Sequence, residues 1–359
     1  MSAKSVTICT FNVENLFMRY RVFGYLPGDK YKRKVLTEKE LTEEGGFLPS
    51  QLYKSSFKIF DKGAWRSLTA KAIKGYGDHK GDNKMPDILC MQEVDSMDAL
   101  RLFNEKFLDA YYDYAILIDS NDPRRIDVGV LSKYRLESMV TNMYDPYNET
   151  GVSRGSTPRR KYLFSRDCLE LFVEIPGVEK RLTLFVNHLK SKYTGGKDST
   201  KKTQQEKEDN DLREAQANRV AELVQQRFSG DLFNKENFVV LGDFNDTPDS
   251  TPLRRLLKDT DLENVVSRLD EEQRWTHWWD KENTASQIDY ILLSPHLAKN
   301  SSSLPYIERR GISRKVKKFT HLGSKDGHKI PFDFGRFPQV SDKIEASDHC
   351  PIFIELVIE

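Results

Sequence analysis

Six short stretches of the chain each set a carboxylate, amide or imidazole at one end of an apolar, strand-like run. They are Phe11-Asn12-Val13-Glu14, Gln92-Glu93, Asn187-His188, Gly242-Asp243-Phe244-Asn245, Ile288-Asp289 and Ser347-Asp348-His349. Cleaving a phosphodiester with water needs an activated nucleophile, a Lewis acid to take up charge on the phosphoryl oxygens, and help for the departing oxygen. These residue types supply all three. Glu93, a carboxylate closing a buried run in an oxygen-rich setting, suits Mg²⁺ or Mn²⁺. Glu14 and Asp348 would hold the metal directly or through water, and Asn12 would orient Glu93, the phosphate or a metal-bound water. Asp243 and Asn245, on one tight loop, can face one cavity, Asp243 orienting or deprotonating the attacking water and Asn245 donating to a phosphoryl oxygen. His349 is the candidate for stabilising the transition-state oxygen, with Asp289 on its other ring nitrogen to fix its orientation and raise its pKa. The plain alternatives are a strand-end salt bridge at Glu93 and an Asx turn at Gly242 to Asn245.

The direction of the runs says how such residues can meet. Val6 to Phe11, Asp87 to Met91, Leu182 to Val186 and Phe238 to Leu241 are apolar first and polar after; Ile288 to Leu293 and Ser347 to Leu356 reverse that order. Strands of the first kind ending at one edge, and strands of the second kind starting there, bring the six clusters into one site. Between them the pattern predicts helices at Ala64 to Lys74, Met97 to Phe107 and Thr251 to Lys258, and a longer one capped by Asn210 or Asp211 with Leu212, Ala215, Val220, Leu223, Val224 and Phe228 at helical spacing. Further strands are expected at Tyr114 to Ile118, Val128 to Ser132 and Cys168 to Glu174. Strand, helix, strand units in two similar halves imply an α/β fold, a four-layer sandwich of two packed mixed sheets flanked by helices.

Composition sets the outer bounds. The 359 residues, 38% hydrophobic and 31% charged, read as one domain with insertions near 18–63, 141–162, 193–209 and 300–345, without a Pro-, Gly- or Ser-rich linker between separate cores. No apolar run is long enough to cross a bilayer, and Met1 to Ser5 leads straight into a strand without a signal core, which reads as cytoplasmic unless a leader has been trimmed. Cys9, Cys90, Cys168 and Cys350 lie in apolar runs and suit buried free thiols. Net charge is only +1, but basic residues gather in three stretches: Arg154, Arg159, Arg160, Lys161 and Arg166; Lys190, Lys192, Lys197, Lys201 and Lys202; and Arg309, Arg310, Arg314, Lys315, Lys317 and Lys318. Each adjoins a polar cluster, as a polyanionic substrate requires, and Arg166, Lys190 and Lys192 are candidate phosphate contacts. Trp275, His277, Trp278 and Trp279 could stack on a base, although core packing against the sheet is the preferred explanation.

Taken in order from residue 11 to 349, the six motifs resemble those of the endonuclease/exonuclease/phosphatase superfamily, the deoxyribonuclease I-like fold. The wider forms Phe11-Asn12-Val13-Glu14-Asn15-Leu16-Phe17 and Asn187-His188-Leu189-Lys190-Ser191-Lys192 resemble its bacterial nuclease branch. The resemblance implies a metal role for Glu93 and sets His188 facing the phosphate, bonding a non-bridging oxygen or the leaving group. It implies a Mg²⁺- or Mn²⁺-dependent nuclease acting on DNA or RNA, with DNA placed first. The alternative is a phosphatase or phospholipase of the same fold acting on inositol phosphates, sphingomyelin or a small phosphoester. Ser286-Gln287-Ile288-Asp289 lacks the Trp-Cys-Asp-Arg sequence of the inositol branch, and no exposed apolar hairpin of the sphingomyelinase kind is evident. A silent binding module is disfavoured because no acidic or imidazole position is missing.

Overall fold

The computed structural model describes residues 3–16, 24–26, 29–34, 63–122, 124–147, 162–192, 199–316, 318–322, 329–331 and 335–359. Two six-stranded mixed sheets form its centre. The first has the spatial order β15 (Tyr306–Ile307), β18 (Ile352–Ile358), β1 (Lys4–Leu16), β4 (Ile88–Val94), β6 (Asp127–Ser132), β5 (Tyr114–Leu117). The second has the order β11 (Glu263–Asn264), β14 (Asp289–Leu293), β10 (Asn237–Asp243), β9 (Leu182–His188), β8 (Cys168–Val173), β7 (Leu136–Val140). A ribbon of β2 (Gly24–Leu26) and β3 (Asp29–Lys34) and a small sheet of β12 (His277–Trp279), β13 (Thr284–Ser286), β16 (Lys318–Leu322) and β17 (Lys329–Pro331) complete the described strands.

Period-two alternation in the strands explains the layering. From β1, Val6 and Ile8 point into the core between the sheets, where they join Ile88, Cys90, Val128 and Val130 against Leu184, Val186, Val239, Leu241 and Ile291 of the opposite sheet. Their neighbours Cys9, Phe11, Leu89 and Met91 point outward and are covered by α1 (Gly63–Lys80) and α2 (Met97–Phe107) through Leu68, Ile73, Leu100 and Phe103. On the far side, Phe185, Phe238, Val240, Tyr290 and Leu292 are covered by α3 (Ser199–Arg227) and α4 (Arg254–Lys258) through Val220, Val224 and Leu256. The short α5 (Pro295–Asn300) follows β14. The result is the expected four-layer α/β sandwich.

Each sheet is built on a parallel pair with an antiparallel strand beside it. β1 runs parallel to β4 with Asn12 opposite Gln92, and β18 runs antiparallel on its other side. β9 runs parallel to β10 with His188 opposite Asp243, and β14 runs antiparallel with Asp289 opposite that same Asp243. The C-terminal ends of four strands and the N-terminal ends of two thus share one edge, as the run directions imply.

Two expectations need correction. The long helix starts at Ser199, so Asn210 and Asp211 lie inside it and cap nothing. Its first half has no apolar stripe to read; it is held by side-chain bonds one turn apart, Gln204 to Glu208 and Gln205 to Asp209, and by Lys190 on Asp209 at 3.1 Å. Arg309 and Arg310 are not part of a free basic loop. Arg309 stacks on Trp275 and bonds its carbonyl, while Arg310 forks onto the buried Glu308. All four cysteines are buried and unpaired. Arg154, Arg159, Arg160, Lys161, Lys197 and most of 18–63 lie outside the described residues.

Candidate active site

The last motif is wired to the fifth through a neighbouring strand. His349 Nδ1 sits 2.9 Å from Asp289 Oδ2 and 3.1 Å from Oδ1, with both side chains buried. Thr276, fully buried, accepts from the backbone N–H groups of Ile288 and Asp289 and donates its hydroxyl to Asp289 Oδ2 at 2.7 Å. The carboxylate is therefore fixed before it meets the imidazole. Although burial disfavours a charged ring, the Asp289 and Asp243 carboxylates hold the His349 pKa well above its usual value. His349 thus carries its proton at neutral pH.

Asp243 lies at the centre. Its Oδ2 accepts from Asn12 Nδ2 at 2.9 Å and Asn245 Nδ2 at 3.1 Å, and its Oδ1 accepts from the Asn245 backbone at 2.8 Å. His188 Nε2 lies 3.5 Å and His349 Nε2 3.9 Å from Oδ2. Burial raises the Asp243 pKa to about 6, with His349 opposing the rise and Asp289 adding to it. For His188, burial acts together with the nearby Arg166, Arg124 and His349 charges to keep the ring neutral. Of the partners expected for Asn12, Glu93 is not the one it bonds: Asn12 donates to Asp243, and the Asn245 amide donates to Asp243 and to the Leu189 carbonyl. Both asparagines hold the central carboxylate. Gly242 enables the arrangement, since a Cβ there would fall 1.9 Å from the Asn187 carbonyl oxygen at a φ of +132°.

The acidic side of the site is made where strands break register. β1 and β4 lose their pairing between Asn12 and Leu16, and β4 and β6 between Met91 and Val94, which frees Glu14 and Glu93 from the ladder. Of nine non-glycine residues described at positive φ, Glu14, Asn15, Glu93 and Asn245 are at this edge. Arg66 bonds the Val13 and Asn15 carbonyls and braces the first bulge, and the Asn15 N–H donates to Glu93 Oε2 at 3.0 Å. Burial, and then the neighbouring Asp348, raise the Glu93 pKa. Carboxylates that destabilise one another in this way are the surroundings a divalent cation relieves, and oxygen donors suit a hard ion. The residues present fit the metal that the motifs imply.

The candidate phosphate contacts are less free than their sequence positions suggest. Arg166 is buried, bonding the His188 and Leu189 carbonyls and pairing with Asp122 at 3.2 Å, so it buttresses the end of β9. Lys190 pairs with Asp209 and Lys192 with Asp246. Arg124 was not foreseen. Asp122 grips its guanidinium at 3.2 Å through two contacts, its side chain is 47% exposed, and it lies within electrostatic reach of Glu93 and His188. Asp122-Pro123-Arg124 follows the Tyr114 to Ile118 strand at a distance of several polar residues and does not close its apolar run, so the chain does not mark it as part of a site. Trp275 and Trp278 are core residues, whereas Trp279 is 39% exposed.

A model of the Endonuclease/Exonuclease/phosphatase family matches residues 60–349. No curated protein matches the chain. Among solved structures, the human Nocturnin catalytic domain with bound sulfate is similar at a TM-score of 0.54 and 13% identity, covering 99% of this chain and 98% of that one. Truncated Caenorhabditis elegans TDP2 gives 0.53 and 14%, covering 98% of each chain. An endonuclease/exonuclease/phosphatase family protein from Bacteroides thetaiotaomicron gives 0.51 and 13%, covering 100% of each. At such identities the three structures bear on the fold.

Proposed function

The chain belongs to the endonuclease/exonuclease/phosphatase family, and from that premise we propose that it is a metal-dependent nuclease of the bacterial branch, hydrolysing DNA by in-line attack of an activated water. The observation that carries the reading is the meeting of Asn12, His188, Asp243, Asn245, Asp289 and His349, drawn from residues 12 to 349, around one buried carboxylate.

A Mg²⁺ or Mn²⁺ ion held by Glu93, with Glu14 and Asp348, would supply Lewis acidity toward the phosphoryl oxygens. Asp243, ionised above about pH 6, accepts a hydrogen bond from the attacking water and draws off its proton. Asn12 and Asn245 keep that carboxylate aimed. His349, charged through its pairing with Asp289, sets a proton beside the phosphoryl group as negative charge builds. Neutral His188 donates to a second oxygen without repelling the positive charges around it. Arg166 holds the His188 backbone, and the half-exposed Arg124 fits a direct contact to a phosphate. Lys192 is paired with Asp246.

The test is incubation with supercoiled plasmid, linear duplex, single-stranded DNA, RNA, phosphoinositides and sphingomyelin, each with Mg²⁺, Mn²⁺ or EDTA. Plasmid nicking that EDTA abolishes is expected, and Asp243→Ala or His349→Ala should lower it by about three orders of magnitude or more. Chelator-resistant cleavage would refute the metal mechanism. Turnover of lipids alone would move the assignment to the phospholipase side of the family.

A further inference from the structure

His277 has no part in the reaction described above, yet the fold delivers it to the reaction's edge. β12 lies directly against the segment carrying the last motif: His277 and His349 form an antiparallel bridge, the Trp278 N–H donates to the Asp348 carbonyl at 3.0 Å, and the Cys350 N–H donates to the Thr276 carbonyl at 2.6 Å. The two imidazole rings stand 4.6 Å apart, centroid to centroid. His277 Nε2 lies 3.7 Å from Asp348 Oδ2, beyond hydrogen-bond reach, and His349 Nε2 lies 3.9 Å from Asp348 Oδ1. One donor atom from each of the three residues falls within 4.8 Å of the others.

We propose that His277, Asp348 and His349 form a second cation site, with two imidazoles and one carboxylate, that takes a borderline divalent metal such as Zn²⁺ or Co²⁺ and thereby inhibits the hydrolysis. Two nitrogens and one carboxylate oxygen are the donor set of open, four-coordinate zinc sites, whereas the oxygen donors at Glu93 suit Mg²⁺. Tetrahedral coordination at about 2.0–2.1 Å sets donors about 3.3 Å apart, so donors that now lie within 4.8 Å of one another would close by at most about 1.5 Å, a change that side-chain rotation supplies. A ligating histidine characteristically gives its other ring nitrogen to a carboxylate, and the Asp289 contact to His349 Nδ1 does this. Solvent reaches the site, since the Asp348 side chain is 41% and the His277 side chain 17% exposed. Inhibition follows from occupancy. The ion takes the lone pair of His349 Nε2, displacing the proton that the phosphoryl group needs.

The inhibitory part of this inference rests on the proposed hydrolysis; the binding part does not. The experiment uses the full chain, stripped of metal and titrated with Co²⁺ alone while visible absorption is followed, and then assayed with Mg²⁺ and increasing Zn²⁺. Wild type should give the intense bands of four-coordinate Co²⁺, and both His277→Ala and His277→Gln should lose them. Each variant, referred to its own Mg²⁺-supported rate, should need about tenfold more Zn²⁺ or more for half inhibition. Equal Co²⁺ spectra in wild type and in folded His277→Gln, or equal Zn²⁺ sensitivity, would overturn the site. If no hydrolysis of any substrate is found, the proposed function fails while the Co²⁺ spectra still decide the site.

Discussion

At the residue scale the site works by setting groups against their ordinary preferences. Asp243 is the clearest case: burial lifts its pKa to about 6, so the folded protein binds that proton more tightly than the unfolded chain does. Protonation of Asp243 therefore favours the fold at low pH, and that contribution is lost as pH rises from the ordinary carboxylate range through about 6. Asp243→Asn, which keeps the shape and removes the charge, should melt a few degrees higher at pH 8 by calorimetry while losing activity. An unchanged or lower melting temperature would contradict this origin of the shift. On the proposed reading, the raised Asp243 pKa gives kcat/KM an acid limb, since the protonated carboxyl cannot take a proton from water, and bound Mg²⁺ should draw that limb below about pH 6. The sequence named Asp243, Asp289 and His349 and the bond between the last two. It did not show that Asn12 and Asn245 would both turn toward Asp243, because an amide's partner depends on a fold that sets residue 12 beside residue 243. Arg166 was legible as a charge near the site but not as a backbone brace.

At the scale of single elements, strand polarity was readable because an apolar run with a polar end has a direction. The breaks in pairing that release Glu14 and Glu93 were not, since Asn15 tolerates positive φ but Glu14 and Glu93, which also adopt it, are residue types that do not signal it. The start of α3 was missed for a related reason, its first half lacking an apolar face. Two substitutions test how elements hold the site. Gly242→Ala should destabilise the protein by roughly 2 kcal/mol or more in denaturant melts, because the new methyl meets the Asn187 backbone and not a movable side chain. Thr276→Val preserves volume but leaves Asp289 Oδ2 and two backbone N–H groups without the hydroxyl. It should slow the reaction about tenfold and lower the His349 pKa seen by NMR, and a slow enzyme with an unshifted imidazole would show that Thr276 acts on stability alone.

At the scale of the whole molecule, the two sheets repeat one plan, a central parallel pair with an antiparallel partner, and the site occupies the edge where the plans meet. That architecture was legible from the order of the runs. The substrate-facing surface was not, because ion pairs formed in the fold redirect charges that look free in the chain: Lys190 to Asp209, Lys192 to Asp246, Arg310 to Glu308. Arg124 is the exposed cation that the fold brings to the reacting groups. Arg124→Ala should raise KM for plasmid DNA about tenfold with little change in kcat, and reduce the steepness of its salt dependence; an unaltered KM would remove Arg124 from the phosphate path.

The pairing of β1 with β18 joins the first motif to the last across the sheet, Thr10 opposite Ile352, and so has a consequence for timing. During synthesis, Glu93 and Asp243 leave the ribosome well before His349 exists, and β1, which can pair with β4 early, must wait hundreds of codons for the strand on its other side. On the proposed reading, a nascent chain stalled before Asp348 and His349 lacks the imidazole that Asp289 orients and would be inactive, so competence waits for the segment that leads into β18.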